Sequence, residues 1–190
     1  MGNKLESNVD SHSKKLLNEH QIGILIKNTS MNRDEIINWY KKFLDEYPDG
    51  FISKKNFIKI FENLYPEGDA SRFAQFAFKA FDQDKNNFIT FNEFVATCSF
   101  MIRKQSTKDQ ETERLKLIFR LFDQNGDRRI SFDEMNRLLE AIYELNGLDA
   151  KSSKHKVNYI FIKYDLNKSK YIEMNELIKI LENEELFIIF

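Results

Sequence analysis

Apolar residues recur along this chain every three or four positions, in short segments that flank polar stretches. In one such arrangement, residues 74–81 and 94–101 contain the apolar segments, and residues 82–93 form the polar stretch between them. A spacing of three or four places side chains on one face of an α-helix. The pattern therefore predicts two amphipathic helices joined by a polar loop.

This helix–loop–helix pattern occurs four times. Successive loops begin 37, 41 and 42 residues apart, and they comprise residues 45–56, 82–93, 123–134 and 165–176. A repeat at nearly constant spacing indicates a repeated structural unit. The eighth position of every loop is isoleucine, which predicts that the loops are joined in pairs by short β-ribbons: Ile52 with Ile89, and Ile130 with Ile172.

These features predict an all-α fold of four units in two pairs, with short β-ribbons between paired loops. The first pair would occupy residues 1–101 and the second residues 112–190. A short polar connector at residues 103–111 would separate the two halves.

The second loop reads DQDKNNFITFNE and has oxygen-bearing groups at its positions 1, 3, 5, 7 and 12. Calcium is a hard cation that takes roughly six to eight oxygen ligands, and the twelve-residue EF-hand loop supplies them from these positions. The predicted calcium ligands of this loop are Asp82, Asp84, Asn86, the carbonyl of Phe88, and Glu93.

The remaining loops match the ligand pattern to different degrees. The third offers Asp123, Asn125, Asp127, the carbonyl of Arg129, and Glu134. The fourth offers Asp165, Asn167, Ser169, the carbonyl of Tyr171, and Glu176. The first has Tyr47 at position 3, Pro48 at position 4 and Asn56 at position 12, so it should keep its fold without holding calcium. We therefore expect two or three bound Ca²⁺ ions.

Position 6 of an EF-hand loop is usually glycine, because the chain turns sharply there. Asn87, Arg128 and Lys170 occupy this position in the second, third and fourth loops. Asparagine tolerates a positive φ angle, whereas arginine or lysine there should cost about 1 kcal/mol or more. Ser169 also leaves the fourth loop with an uncharged ligand. The predicted order of affinity is second, third, fourth, with the first loop empty.

The composition narrows the possible functions. The net charge of −1 gives no basis for nucleic-acid binding, and no apolar run approaches the roughly 20 residues of a membrane span. A single cysteine, Cys98, excludes an internal disulfide and fits a reducing compartment. The chain contains no phosphate loop, zinc-ligand spacing or nucleophile motif. These observations predict a cytoplasmic protein that is not an enzyme.

The chain begins Met1-Gly2, which is the start of an N-myristoylation signal. That signal has serine or threonine at position 6, where this chain has Glu6, and Ser7 comes one place late. Two interpretations stay open: myristoylation of Gly2, which would bring the protein to membranes, or an ordinary N-terminus.

Three stretches resemble the neuronal calcium sensor family of recoverin, frequenin and hippocalcin. Trp39–Phe43 followed by Pro48–Gly50 is similar to the family's WYKGF and CPxG motifs, with Tyr47 in place of the cysteine. Tyr65–Asp69 is similar to its FPxGD turn, and Glu140–Tyr143 to its DAIY stretch. The resemblance covers nearly the whole chain.

By this resemblance, calcium opens the N-terminal half and exposes an apolar groove that takes an amphipathic helix of a target protein. The positions that match the family's groove are Trp39, Phe43, Phe57, Ile60, Phe61, Leu64 and Phe94. The alternative is that these side chains belong to the core. The apolar end of the chain, residues 186–190, would either fill the groove or complete the packing of the last helix.

The sequence predicts a calcium sensor that regulates target proteins through this groove. A calcium buffer would bind the ion with little opening of the helices. A constitutive regulatory subunit similar to calcineurin B would hold its partner permanently and use calcium structurally. The disabled first loop and the aromatic groove favour the sensor over the buffer.

Overall fold

The computed structural model of the protein describes residues 17–29, 31–102 and 108–183. The described chain is mostly helical and contains two short antiparallel sheets of two strands each. The all-α prediction with short ribbons is therefore confirmed.

The described part of the N-terminal half contains five helices and one ribbon. Its elements are α1 (Glu19–Asn28), α2 (Arg33–Glu46), β1 (Phe51–Ser53), α3 (Lys54–Leu64), α4 (Ser71–Phe81), β2 (Phe88–Thr90) and α5 (Phe91–Ile102). Helix α2 begins at a capping box, in which the Asn32 side chain accepts from the Glu35 N–H at 3.0 Å. The Glu35 carboxylate in turn accepts from the Asn32 N–H at 2.7 Å. Two otherwise unpaired donors at the helix start are satisfied in this way.

The C-terminal half repeats this plan. Its elements are α6 (Lys108–Phe122), β3 (Ile130–Ser131), α7 (Phe132–Leu145), a 3₁₀ turn (Ala150–Ser152), α8 (Ser153–Tyr164), β4 (Tyr171–Ile172) and α9 (Met174–Asn183).

Each ribbon joins two loops through the isoleucine at position 8. Ile52 pairs with Ile89, and Ile130 pairs with Ile172, all four with no exposed surface. Strand pairing satisfies the backbone polar groups of the loops, and burial of the isoleucines fixes the register. The predicted pairing of the loops is confirmed.

The two halves pack against each other through α4, which contacts both α6 and α7, and through α5, which contacts α6. Buried residues of both halves form one continuous hydrophobic cluster, from Leu25 in α1 to Ile180 in α9.

Polar contacts also stabilise the interface between the two halves. The Arg72 guanidinium in α4 donates to the Glu144 carboxylate at 2.7 Å and to the Glu140 carboxylate at 3.2 Å, both in α7. The backbone N–H of Asp69 donates to the Glu144 carbonyl at 3.1 Å. At Gly68, an added Cβ would lie 1.9 Å from the carbonyl oxygen of Leu145. The turn before α4 therefore packs directly against the C-terminal end of α7.

Replacing Gly68 by alanine should force this turn away from α7. The obstructing atom belongs to the backbone and cannot rotate aside, so we expect the free energy of unfolding to fall by about 2 kcal/mol. Gly23→Ala is the matched control, because nothing lies within 4 Å of an added Cβ there. Gly23 is exposed to solvent and lies in the middle of α1, so replacing it by alanine should stabilise the protein by up to about 1 kcal/mol. Urea denaturation measures both, and equal effects would contradict the close contact.

Candidate metal centre

The predicted ligands of the second loop lie together at the junction of α4 and α5. Asp82 directly follows α4, and Glu93 lies in the first turn of α5. Carboxylate oxygens of Asp82, Asp84 and Glu93 all lie within 4.8 Å of one another. Oxygens gathered in this way could bind a hard divalent cation.

The loop is held by its own backbone N–H groups. The two Asp82 oxygens accept from the Asn86 N–H at 3.0 Å and the Asn87 N–H at 2.9 Å. The Glu93 carboxylate reaches back over the loop and accepts from the N–H groups of Gln83 and Thr90, both at 2.9 Å. The loop thus folds around carboxylates at its two ends.

The third and fourth loops have the same hydrogen-bond frame. The carboxylate at position 1 accepts from the N–H groups of positions 5 and 6: Asp123 from Asp127 and Arg128, and Asp165 from Ser169 and Lys170. The glutamate at position 12 accepts from positions 2 and 9: Glu134 from Gln124 and Ser131, and Glu176 from Leu166 and Glu173. The three loops therefore share one backbone design despite their different sequences.

The side chains at positions 3 and 5 also fold onto the loop backbone. The position-5 side chain accepts from the N–H of position 7, as Asn86 does from Phe88 at 2.8 Å and Asp127 from Arg129 at 2.9 Å. In the fourth loop, the Ser169 hydroxyl donates to the Tyr171 carbonyl at 3.0 Å. Two predicted ligands are therefore bonded to each other there, and an ion would compete with this bond.

In the second loop, the surroundings of Asp82 disfavour its negative charge. Burial raises the pKa of Asp82 above its usual value, and the neighbouring Asp84 and Glu93 act in the same direction. Backbone N–H groups of Asn87 and Asn86 oppose this rise. A divalent cation would offset both the burial and the repulsion. The donor set of carboxylates, an amide and a carbonyl fits calcium.

The backbone is left-handed at position 6 of every loop. The φ angles are 82° at Gly50, 67° at Asn87, 65° at Arg128 and 67° at Lys170. Side chains other than asparagine rarely adopt this conformation, so Arg128 and Lys170 are strained. The sharp turn expected from the loop pattern is thus present without its glycine.

Position 4 of the second, third and fourth loops is also left-handed, which the sequence reasoning missed. The φ angles there are 60° at Lys85, 78° at Gly126 and 56° at Lys168. Gly126 was the available signal, since glycine in a polar loop often marks a positive φ.

The first loop keeps the turn but not the carboxylate frame. The Gly50 N–H donates to the Tyr47 carbonyl at 2.9 Å. Position 12 is Asn56, whose backbone N–H donates to the Ser53 hydroxyl at the start of α3. A carboxylate that could reach back over the loop is missing from this position.

Three of the predicted groove residues line one cavity of about 330 Å³ in the N-terminal half. They are Trp39, Phe43 and Phe94, and the sequence reasoning missed the neighbouring Tyr47 and Phe91. Both missed residues lie at helix ends, where helical periodicity gives no signal. The cavity forms where α2 meets the start of α5.

The remaining predicted groove residues lie on α3. Leu64 is 65% exposed, and Ile60 and Phe61 are half-buried. Phe57 is buried, and its ring contacts those of Phe61, Phe78 and Phe81. In this conformation Phe57 belongs to the core and would reach a groove only after the helices separate.

Gly2 and residues 186–190 lie outside the described residues. Among the helices that are described, none has the length and apolar character needed to cross a bilayer. Cys98 is half-buried in α5, and burial raises the pKa of its thiol to about 12.

Comparisons with known proteins agree with the loop pattern of the sequence. A family model for an EF-hand domain pair matches residues 71–140 and 112–182, ranges that together span the second, third and fourth loops. The chain is also 32% identical to neuronal calcium sensor 1 of Lymnaea stagnalis over 169 residues, which covers 86% of each chain.

Replacing the strained Arg128 by glycine should strengthen calcium binding in the third loop. Glycine adopts the left-handed conformation without steric cost, and relief of about 1 kcal/mol corresponds to about fivefold in affinity. Asn87→Gly is the control and should change affinity by less than about twofold, because asparagine is already tolerated. Calorimetric calcium titration measures both. An equal gain for both variants would contradict the strain argument.

Replacing the glutamate at position 12 of the second, third and fourth loops tests the predicted order of calcium affinity among these loops. We expect Glu93→Gln to remove the tightest calcium site, Glu134→Gln the next, and Glu176→Gln the weakest. The reason is that Arg128 and Lys170 are strained at position 6 of the third and fourth loops, and that Ser169 gives the fourth an uncharged ligand. Calcium titration of the three variants and of the parent protein measures this order. If Glu176→Gln caused the largest loss of calcium affinity, the predicted order would be wrong.

Proposed function

The chain belongs to the neuronal calcium sensor family of EF-hand proteins, and from this premise we propose that it regulates target proteins through an apolar groove that calcium opens. The observation that supports this proposal best is the position of Glu93. This predicted ligand lies in the first turn of α5, beside the groove residue Phe94.

The ligand and the groove are thus joined by a single helix turn. The Phe43 ring of α2 lies 5.3 Å from the Phe91 ring and 6.2 Å from the Phe94 ring. In this proposal, a calcium ion bound between Asp82, Asp84 and Glu93 shifts the start of α5 as the carboxylates adjust to it. Because Phe91 and Phe94 belong to that start, the movement changes the cavity beside Trp39. Metal binding is thereby converted into a change of apolar surface.

The proposed ions are two or three Ca²⁺, with the first loop empty. The proposed ligands of the second, third and fourth loops are those identified from the sequence, since each set is built on the same hydrogen-bond frame. In this proposal the carboxylates bind metal and do no acid–base chemistry, so the protein is not an enzyme.

The proposed partner is an amphipathic helix of a target protein. Trp39 is 43% exposed at the cavity, and Lys42 and Glu46 line the same cavity. An apolar floor with charged residues beside it suits a helix that has one apolar face. We further propose a cytoplasmic location, with attachment to membranes if Gly2 is acylated.

An apolar dye that fluoresces on exposed hydrophobic surface tests the proposal. Calcium should increase dye fluorescence of the parent protein and fail to do so in Glu93→Gln. Glu113→Gln is the control, since its carboxylate pairs with Lys116 within α6 and belongs to none of the predicted calcium loops. This control should respond like the parent.

Other outcomes would identify the alternatives. Calcium binding without a dye response in the parent protein would indicate a buffer. A strong dye signal that is independent of calcium would indicate a groove that is permanently open, as a constitutive subunit requires. Either result would contradict the sensor proposal.

A further inference from the structure

The outer face of α8 presents an apolar stripe that neither the core nor the predicted groove uses. Ile162 is 86% exposed and Tyr159 is 45% exposed. Leu166, just past the end of the helix, is 61% exposed. These residues are three and four positions apart, so they follow one side of the helix. The opposite side contains the buried residues Val157, Ile160 and Tyr164.

The stripe lies in a locally basic segment. Residues 150–164 contain four lysines and no aspartate or glutamate, although the whole chain has a net charge of −1. The four are Lys151, Lys154, Lys156 and Lys163. The charge of this segment therefore differs in sign from that of the protein as a whole, although Asp149 and Asp165 flank it.

Two of these lysines surround the tyrosine. The ammonium groups of Lys156 and Lys163 lie 5.4 Å and 5.1 Å from the centre of the Tyr159 ring. Lys163 also donates to the Tyr159 hydroxyl at 2.7 Å. The aromatic ring is thus exposed among cations at the edge of the apolar stripe.

We propose that this face docks on an anionic lipid surface through Tyr159, Ile162, Leu166 and the surrounding lysines. Lysine stems can lie along the boundary while their ammonium groups reach lipid phosphates and carboxylates. Tyrosine favours the interface between headgroups and acyl chains. Isoleucine and leucine enter the apolar boundary itself, as on other interfacial helices.

The charge and the shape of the α8 face both favour a lipid surface over a protein partner. The basic segment complements anionic headgroups, and each lysine near such a surface contributes about fivefold in affinity. An isoleucine with 86% of its surface exposed protrudes from the protein. A protruding side chain can enter a fluid interface without a matching pocket, whereas a protein partner would have to supply one.

This surface is distinct from the cavity beside Trp39 and from Gly2, although Leu166 is also position 2 of the fourth loop, where its backbone N–H donates to Glu176. It lies in the C-terminal half, whereas the cavity beside Trp39 lies in the N-terminal half. A test on unacylated protein with a calcium chelator present therefore isolates the face of α8. Failure of this test would leave the sensor proposal standing.

The experiment is co-sedimentation of the full-length unacylated protein with lipid vesicles. The parent should bind vesicles of phosphatidylcholine and phosphatidylserine and not vesicles of phosphatidylcholine alone. Ile162→Asp should weaken binding at least about tenfold, because an apolar contact is replaced by a charge that the lipid repels. Lys154→Gln should weaken binding about fivefold.

Ile26→Asp is the matched control. Ile26 is 43% exposed but lies on α1 in the N-terminal half, outside the predicted groove, so this charge should leave vesicle binding unchanged. Calcium titration of each variant checks that it is folded. Ile162→Asp should pass this check, since its side chain is outside the core.

Five results would overturn the proposal. The first four are absence of binding by the parent, equal binding to neutral vesicles, equal losses for Ile162→Asp and Ile26→Asp, and binding that appears only after residues 184–190 are deleted. The fourth would mean that the chain's own end covers the face. A parent dimer that Ile162→Asp converts to monomer in light scattering would identify a second copy as the occupant and would equally overturn it.

Discussion

Each of the second, third and fourth loops depends on a glutamate that reaches back from the start of a helix to the beginning of the loop. Glu93, Glu134 and Glu176 all accept hydrogen bonds from the backbone N–H groups of positions 2 and 9. Carboxylates at the two ends of a loop repel each other, and N–H donors are the compensation that the chain itself provides. The left-handed backbone at positions 4 and 6 curls the loop so that these donors face the carboxylates.

This geometry connects the metal centre to the rest of the molecule. Glu134 lies in the first turn of α7. The second half of the same helix contains Glu140 and Glu144, which bind Arg72 of the N-terminal half. Glu93 opens α5, whose first turn lines the cavity beside Trp39. A change at either loop therefore acts on a rigid helix with a second contact at a distance. For the helix after the third loop, that contact is the interface between the halves; for the helix after the second loop, it is the cavity beside Trp39.

The sequence was informative where the fold is periodic or where loop positions have fixed roles. The helical spacing, the fourfold repeat and the paired isoleucines predicted the helices and both ribbons. The loop pattern also located the sharp turn at Asn87, Arg128 and Lys170, although none of these is glycine. The ligand sets stay predictions, and their shared hydrogen-bond frame gives a physical reason for them.

The remaining features depend on contacts between distant segments. Arg72 is separated from Glu144 by 72 positions, and no local pattern indicates that pair. Tyr47 and Phe91 line the cavity because α2 ends beside the start of α5, which is a consequence of tertiary packing. The burial of Phe57 similarly follows from how α3 meets α4.

Calorimetric calcium titration of the unmodified protein, with Trp39 fluorescence followed in parallel, tests the central claim most directly. Trp39 is the only tryptophan of the chain and lies at the cavity that the second loop should control. The account predicts two or three calcium sites and a fluorescence change that saturates as the second loop fills. Binding without any change at Trp39 would contradict the link between loop and groove, and absence of binding would contradict the calcium sites themselves.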